Sequence, residues 1–297
     1  MGAPPMRPLF LLGHWRSGTT LLHNLLLLDE RFAAPTTFAC FNPHHFLLAA
    51  HPMGRSGSRR AERPMGDMDV ADDSPQEEEF ALLCLGARSG YEAFMFPEAI
   101  EKMEALCDAR TFSVEERSGW REALLEFLGG VSYASGNRRL VLKSPTNSFR
   151  VEALRDLFPD ASFAVIVRNP AEVFASSIAM WQAMWKRYAL RPPLGRHRLQ
   201  EAVIRLRLDF ETRLERGLEA VAPRSVAYLA YEELVADPAG TIRRLYRKLD
   251  LGDSCAIPPR LSAYLSANRK RMRVLPHADE GMIRERLKPV FEKYGFK

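Results

Sequence analysis

Residues 8–29 read P-L-F-L-L-G-H-W-R-S-G-T-T-L-L-H-N-L-L-L-L-D, and this stretch decides the fold. The apolar run 9–12 stops at Gly13, and a polar loop follows from His14 to Ser17. Gly18, Thr19 and Thr20 then open a segment apolar enough for a buried helix. Strand, glycine turn and helix in that order leave several backbone N–H groups unpaired at a helix N-terminus, where the positive end of the helix dipole also lies. Such a turn holds an anionic group. The spacing Gly13-x4-Gly18-x-Thr20 is that of a nucleotide phosphate loop with one change. Thr19 stands where lysine is expected, and the basic residue is Arg16, two places before Gly18. The loop is therefore expected to hold a phosphate-like group, but not as a Mg·ATP enzyme does.

Outward from this loop, strand and helix patterns alternate. Residues 32–34 read as a short strand ahead of Pro35, and 139–143 (R-L-V-L-K) as a buried one. Residues 162–168 (S-F-A-V-I-V-R) are an almost unbroken apolar run, and 226–230 form a last strand. Helices are expected at 78–87, 114–128, 144–158, 170–188, 199–220 and 238–249. Ser74, Pro75 and Glu77 read as cap, first position and closing glutamate of a capping box for the first of these. Residues 261–297 look helical but basic, most densely at Asn268–Arg271. The stretch 52–74 carries no hydrophobic period and reads as a mobile loop, either a lid or a disordered insertion. The pattern predicts one α/β domain over 1–297, with a P-loop-type central parallel sheet flanked by helices on both faces.

The 297 residues suffice for a sizeable core, and 46% hydrophobic with 27% charged residues is ordinary for a globular protein. A net charge of +5 suits a small anion as well as nucleic acid and decides little. Cys40, Cys84, Cys107 and Cys255 form no C-x-x-C pair, so neither a zinc site nor a disulfide framework is expected. No segment reaches the length of a membrane span and no apolar leader precedes the first strand, which makes a cytoplasmic location the default.

In open parallel sheets ligands bind beyond the C-terminal strand ends. That rule singles out Arg16 after the first strand, Lys143, Arg168, and Tyr231 with Glu232. A Mg·nucleotide enzyme needs a strand ending in Asp, and none is offered here. Three cations on one edge fit a nucleotide with several phosphate-like groups held by protein charge alone.

The 8–22 segment, the R-L-V-L-K-S-P run, R-N-P-A-E-V-F-A-S from Arg168 to Ser176, and Y-E-E-L-V-A-D-P from Tyr231 together resemble the sulfotransferase family. The likeness is nearest to its bacterial and Golgi-type branch with an R-S-G-T-T loop, and it spans nearly the whole chain. It implies 3′-phosphoadenosine 5′-phosphosulfate (PAPS) as donor, 3′,5′-diphosphoadenosine as product, and no metal. Arg16, Ser17, Gly18, Thr19 and Thr20 would cradle the 5′-phosphosulfate, and Arg168 with Ser176 would bind the 3′-phosphate. Strand-end Arg168 and Ser176, eight residues on in the first turns of the next helix, can face one phosphate. Tyr231 resembles the adenine-contacting tyrosine, with core packing as the other reading.

Sulfuryl transfer asks for a cation at the leaving phosphate, for which Lys143 and Arg16 are placed, and for a base at the acceptor. Pro145 stands where cytosolic members carry a histidine, and Asn147 where the bacterial branch often does. Glu77, resembling the glutamate of that branch's P-x-E-[DE] segment, is the candidate base, with Glu78 as substitute. Apolar neighbours Phe80, Ala81 and Cys84 favour that role, and the capping box competes with it. His14 is the histidine placed to touch ligand. The acceptor is expected to be a hydroxyl-bearing small molecule, lipid, glycan or peptide, with no nucleic-acid partner. An ATP-dependent phosphotransferase and a nucleotide-binding protein without chemistry are the alternatives.

Overall fold

A computed structural model describes residues 6–49, 61–62, 69–254, 257–268 and 280–296. The strands are β1 (Leu9–Leu12), β2 (Phe32–Ala33), β3 (Ala61–Glu62), β4 (Asp69–Val70), β5 (Arg139–Leu142), β6 (Ser162–Val167) and β7 (Val226–Ala230). Five of them form a parallel sheet in the order β2-β5-β1-β6-β7, with Leu9 level with Val141 on one side and Ser162 on the other. β3 and β4 pair antiparallel as a separate ribbon. The loop expected at 52–74 otherwise lies outside the described residues as far as position 68.

The helices are α1 (Thr19–Leu26), α2 (Thr37–Phe41), α3 (Glu78–Cys84), α4 (Met103–Cys107), α5 (Val114–Ala134), α6 (Val151–Leu157) and α7 (Pro170–Tyr188). They continue with α8 (Arg196–Glu219), α9 (Tyr231–Ala236), α10 (Pro238–Leu249), α11 (Pro258–Asn268), α12 (Glu280–Arg286) and α13 (Lys288–Tyr294). No helix among the described residues is long and apolar enough to cross a membrane.

The period-two alternation of a strand explains why β1 and β6 look apolar throughout. Phe10, Leu12, Phe163 and Val165 enter one core with Trp181, Phe210 and Trp120 of α7, α8 and α5. Leu9, Leu11, Ala164 and Ile166 enter a second core with Leu22, Leu25 and Leu26 of α1. On α10, Ile242, Leu245, Tyr246 and Leu249 recur at helical spacing and close that second face.

Three local expectations are corrected. Ser74 does not cap α3: its hydroxyl accepts from the Ala71 N–H at 2.9 Å. Pro75 bridges Thr36 and the Gln76 N–H donates to the Pro35 carbonyl at 2.9 Å, so the chain stays extended past Pro75. The helix starts three residues later with Glu77 as its N-cap, whose side chain makes no capping bond. The helix expected over 144–158 is a 3-10 turn, Pro145–Phe149, followed by α6, because Arg150 leaves helical geometry at φ −122°. The basic run after Asn268 lies outside the described residues.

Candidate active site

The turn after β1 closes tightly on itself. A Cβ at Gly13 would sit 2.6 Å from Ser17 Oγ, 2.8 Å from Thr19 Cγ2 and 2.9 Å from Ile166, so a side chain there needs movement on three sides. Gly13 N–H donates to Ser148 Oγ at 3.2 Å, which ties the loop to the 3-10 turn after β5. Arg16 takes positive φ (70°) and Gly18 follows at 100°, where a Cβ would lie 2.2 Å from the Tyr231 ring. An arginine in the left-handed region is uncommon and holds the loop in a conformation most residues avoid. Ser17 Oγ is buried without a hydrogen-bond partner, and Thr19 begins α1.

His14 is not at the loop's ligand face. Its side chain is 1% exposed, its ring meets Trp15 and Phe210 edge-on at 5.5 and 5.3 Å, and Nδ1 pairs with the Trp15 carbonyl at 2.9 Å. Burial, aided by the Arg207 charge, lowers its pKa from 6.5 to about 3, so it is a neutral core histidine.

At the end of β6, Arg168 is buried and doubly held by Glu172, four residues on, with Nη2 at 2.5 Å and Nε at 2.9 Å. Its Nη1 donates to the Arg16 carbonyl at 3.1 Å, and its guanidinium lies 4.3 Å from the centre of the Tyr231 ring. Arg16 in turn donates from Nε to Ser176 Oγ at 2.8 Å. Arg16, Arg168, Ser176 and Tyr231 are thus one network, built from the ends of β1, β6 and β7 and the second turn of α7. Tyr231 packs on Gly18 as well as on Arg168, and burial pushes its phenol up, keeping it protonated. Glu172 was missed as a partner although it lies inside the R-N-P-A-E motif.

The second group centres on Glu77. Lys143, at the end of β5 and 2% exposed, donates Nζ to Glu77 Oε1, and the Tyr91 hydroxyl donates to Oε2. The carboxylate therefore sits between a cation and a phenol, not in the apolar surroundings expected from Phe80, Ala81 and Cys84. Residues 78 and 79 anchor the helix that presents it. Glu78 is 1% exposed and accepts from Asn147 Nδ2 at 2.5 Å; burial raises its pKa. Glu79 forms a two-point ion pair with Arg150 at 2.7 and 2.9 Å, with both side chains fully buried. Ser89 and Thr146 add hydroxyl bonds to Glu79 at 2.6 and 2.9 Å. Tyr91, whose run Tyr91–Phe96 reads from the sequence as acceptor-pocket lining or core, and Asn147 instead meet the glutamates at the start of α3. The aromatic run at Tyr91 and the position of Asn147 were visible, but their partners on α3 were not.

The row β5-β1-β6-β7 thus ends in Lys143, the glycine loop, Arg168 and Tyr231. Adjacent strands lie ~4.8 Å apart, so the row spans about 14 Å. It offers a backbone anion cradle flanked by guanidinium and ammonium groups, with a carboxylate at the Lys143 end. Among the described residues no group of three or more His, Cys, Asp or Glu side chains is arranged to hold a metal ion.

The family model described as the sulfotransferase family matches residues 8–254. The omega-hydroxy-beta-dihydromenaquinone-9 sulfotransferase Stf3 of Mycobacterium bovis is 35% identical over 296 residues, covering 97% of this chain and 75% of that protein. The protein of the same name in Mycobacterium tuberculosis gives the same figures. The crystal structure of sulfotransferase STF9 from Mycobacterium avium superposes with a TM-score of 0.75 at 18% identity, covering 99% of this chain and 78% of that one. That of STF1 from M. tuberculosis gives 0.69 at 20% identity, with 96% and 77% covered. These two share the fold described above.

Proposed function

The chain belongs to the sulfotransferase family, and from that premise we propose that it moves a sulfuryl group from PAPS to a hydroxyl on a largely apolar small molecule. PAPS supplies a sulfuryl group already activated by its anhydride bond to the 5′-phosphate. The residues fit such a donor. The buried Ser17 Oγ lacks a partner, the loop backbone is held open by Gly18, and α1 points its N-terminus at the same place. In this reading Arg16, Ser17, Gly18, Thr19 and Thr20 bind the 5′ end, Arg168 and Ser176 the 3′-phosphate, and Tyr231 the adenine side. Like the donor itself, a single domain and a cytoplasmic location belong to this proposal.

The observation that carries it is the Glu77–Lys143 pair beside the glycine loop. Glu77 takes the proton from the acceptor hydroxyl. Once that proton is on Glu77, the carboxyl no longer competes for the Lys143 ammonium, which together with Arg16 then balances charge on the departing phosphate oxygen. Base and electrostatic partner are in this way coupled through one ion pair.

An apolar acceptor is supported on two sides. The name of the related Stf3 gives that protein a hydroxylated menaquinone derivative as substrate. Here the Tyr91 ring, whose hydroxyl meets Glu77, continues into Phe80 at 4.8 Å and then Phe41 at 5.2 Å, and Phe41 is 51% exposed. The row leads from the carboxylate to the surface.

Glu77→Gln keeps the shape and removes the base. It is expected to lower the transfer rate by about 10²–10⁴ with labelled PAPS, while calorimetric binding of 3′,5′-diphosphoadenosine stays intact. Normal transfer by this variant assigns the proton to another group. Binding without transfer by the unsubstituted protein, across a broad acceptor screen, favours a nucleotide-binding protein without chemistry.

A further inference from the structure

Tyr91 lies fourteen residues beyond Glu77, on a different element, and four contacts leave its hydroxyl one place to go. It is the second residue of the 3-10 turn Gly90–Phe94, whose capping box is closed by Ser89 and Glu92. The Tyr91 N–H donates to Ser89 Oγ at 3.1 Å, and Ser89 Oγ donates at 2.6 Å to Glu79 of α3, the helix that Glu77 caps. Gly90 is pinned, since a Cβ there would lie 2.4 Å from Cys107 Sγ and 2.5 Å from Met103 Sδ. The ring packs against Phe80 at 4.8 Å and Phe94 at 4.9 Å and is 1% exposed, with the hydroxyl on Glu77 Oε2.

We infer that Tyr91 is a positioning residue for Glu77, holding one carboxylate oxygen so that the remaining lone pairs face the acceptor proton. This rests on Glu77 being the base. A carboxylate offers about four acceptor sites; Tyr91 takes one on Oε2 and Lys143 one on Oε1, which fixes the plane of the group. Burial and the Glu77 charge push the Tyr91 phenol far up, so it remains a donor throughout the working range. The titratable groups around Glu77 among the described residues are Lys143 at the end of β5, Tyr91, the Cys40 thiol of α2 whose Sγ lies 3.3 Å from the Glu77 carbonyl, and Glu78 and Glu79 on its own helix.

The test compares Tyr91→Phe with the unsubstituted enzyme over a full pH–rate profile at saturating donor. The ring and its packing remain, so a merely structural role leaves the profile in place. Removing a donor to a carboxylate disfavours the ionised form, so the inference expects the acidic limb to move to higher pH, kcat to fall about tenfold, and KM for the donor to stay within about twofold. If Tyr91→Phe does not fold, 3-fluorotyrosine at position 91 serves instead. A stronger phenol donor then moves the limb in the opposite direction. An unmoved limb and unchanged kcat in the variant that folds, with Glu77→Gln inactive, overturn the inference and leave the base assignment standing. An active Glu77→Gln removes the base assignment itself, and the inference with it.

Discussion

His14 shows what burial does to one titratable ring. Its neutral form fits between Trp15 and Phe210, with the Arg207 guanidinium opposing a second positive charge, and its pKa drops from 6.5 to about 3. The folded state then binds fewer protons than the unfolded chain between these two values. Stability therefore rises with pH across that window, is complete above about 6.5, and is lost as pH falls toward 3. His14→Gln retains a donor for the Trp15 carbonyl and removes the titration. Its melting temperature, followed from pH 4 to pH 7, is expected to lose the part of the slope due to about one proton. Parallel curves for the two proteins would mean that the folded chain protonates His14 freely. A histidine two residues before Arg16 in a phosphate loop invites a ligand role, and the sequence holds no mark of the α8 residues that enclose it.

Three consecutive glutamates at the start of α3, Glu77 as its extended N-cap and Glu78 and Glu79 in its first turn, meet three different surroundings. Glu77 meets Lys143 and Tyr91, Glu78 meets Asn147, and Glu79 meets Arg150. The Glu79–Arg150 pair fastens α3 to the segment between β5 and α6, the same segment that follows Lys143, so it sets how Glu77 faces the Lys143 ammonium. Arg150→Met leaves a buried carboxylate uncompensated and is expected to cost about 3–5 kcal/mol in urea unfolding. Adding Glu79→Gln should recover part of that loss, whereas a single variant as stable as the parent would mean water or another group already compensates Glu79. The sequence pointed to Glu77 through a local motif, yet its capping-box reading failed because Ser74 is used by Ala71 and Pro75 by Thr36. The strands were legible because burial on both faces leaves a mark within each segment. Arg150 had no local mark, since its partner lies 71 residues away.

For the whole molecule, the order β5-β1-β6-β7 brings residues from Gly13 to Tyr231 to one edge, although they are spread over most of the chain. This row was foreseeable from the alternating strands and the rule for parallel sheets, while the internal pairing of Arg168 with Glu172 and Tyr231 was not. A ligand that spans the row joins the loop after β1, α7 and α9, so its binding energy should resist global unfolding and not only local opening. At about 100 times its Kd such a ligand adds ~2.7 kcal/mol, which for a chain of this size raises Tm by about 5 °C. 3′,5′-Diphosphoadenosine is expected to produce that shift in the presence of a chelator, because the cations at the row belong to the chain. ATP with magnesium is expected to give a much smaller one, since Thr19 replaces the loop lysine and each of the strand-end positions in the row is basic, neutral or glycine. Arg168→Met should diminish the diphosphoadenosine shift, because it removes a guanidinium from the row together with its bond to the Arg16 carbonyl. A larger shift with ATP·Mg than with diphosphoadenosine would assign this edge to phosphoryl chemistry instead.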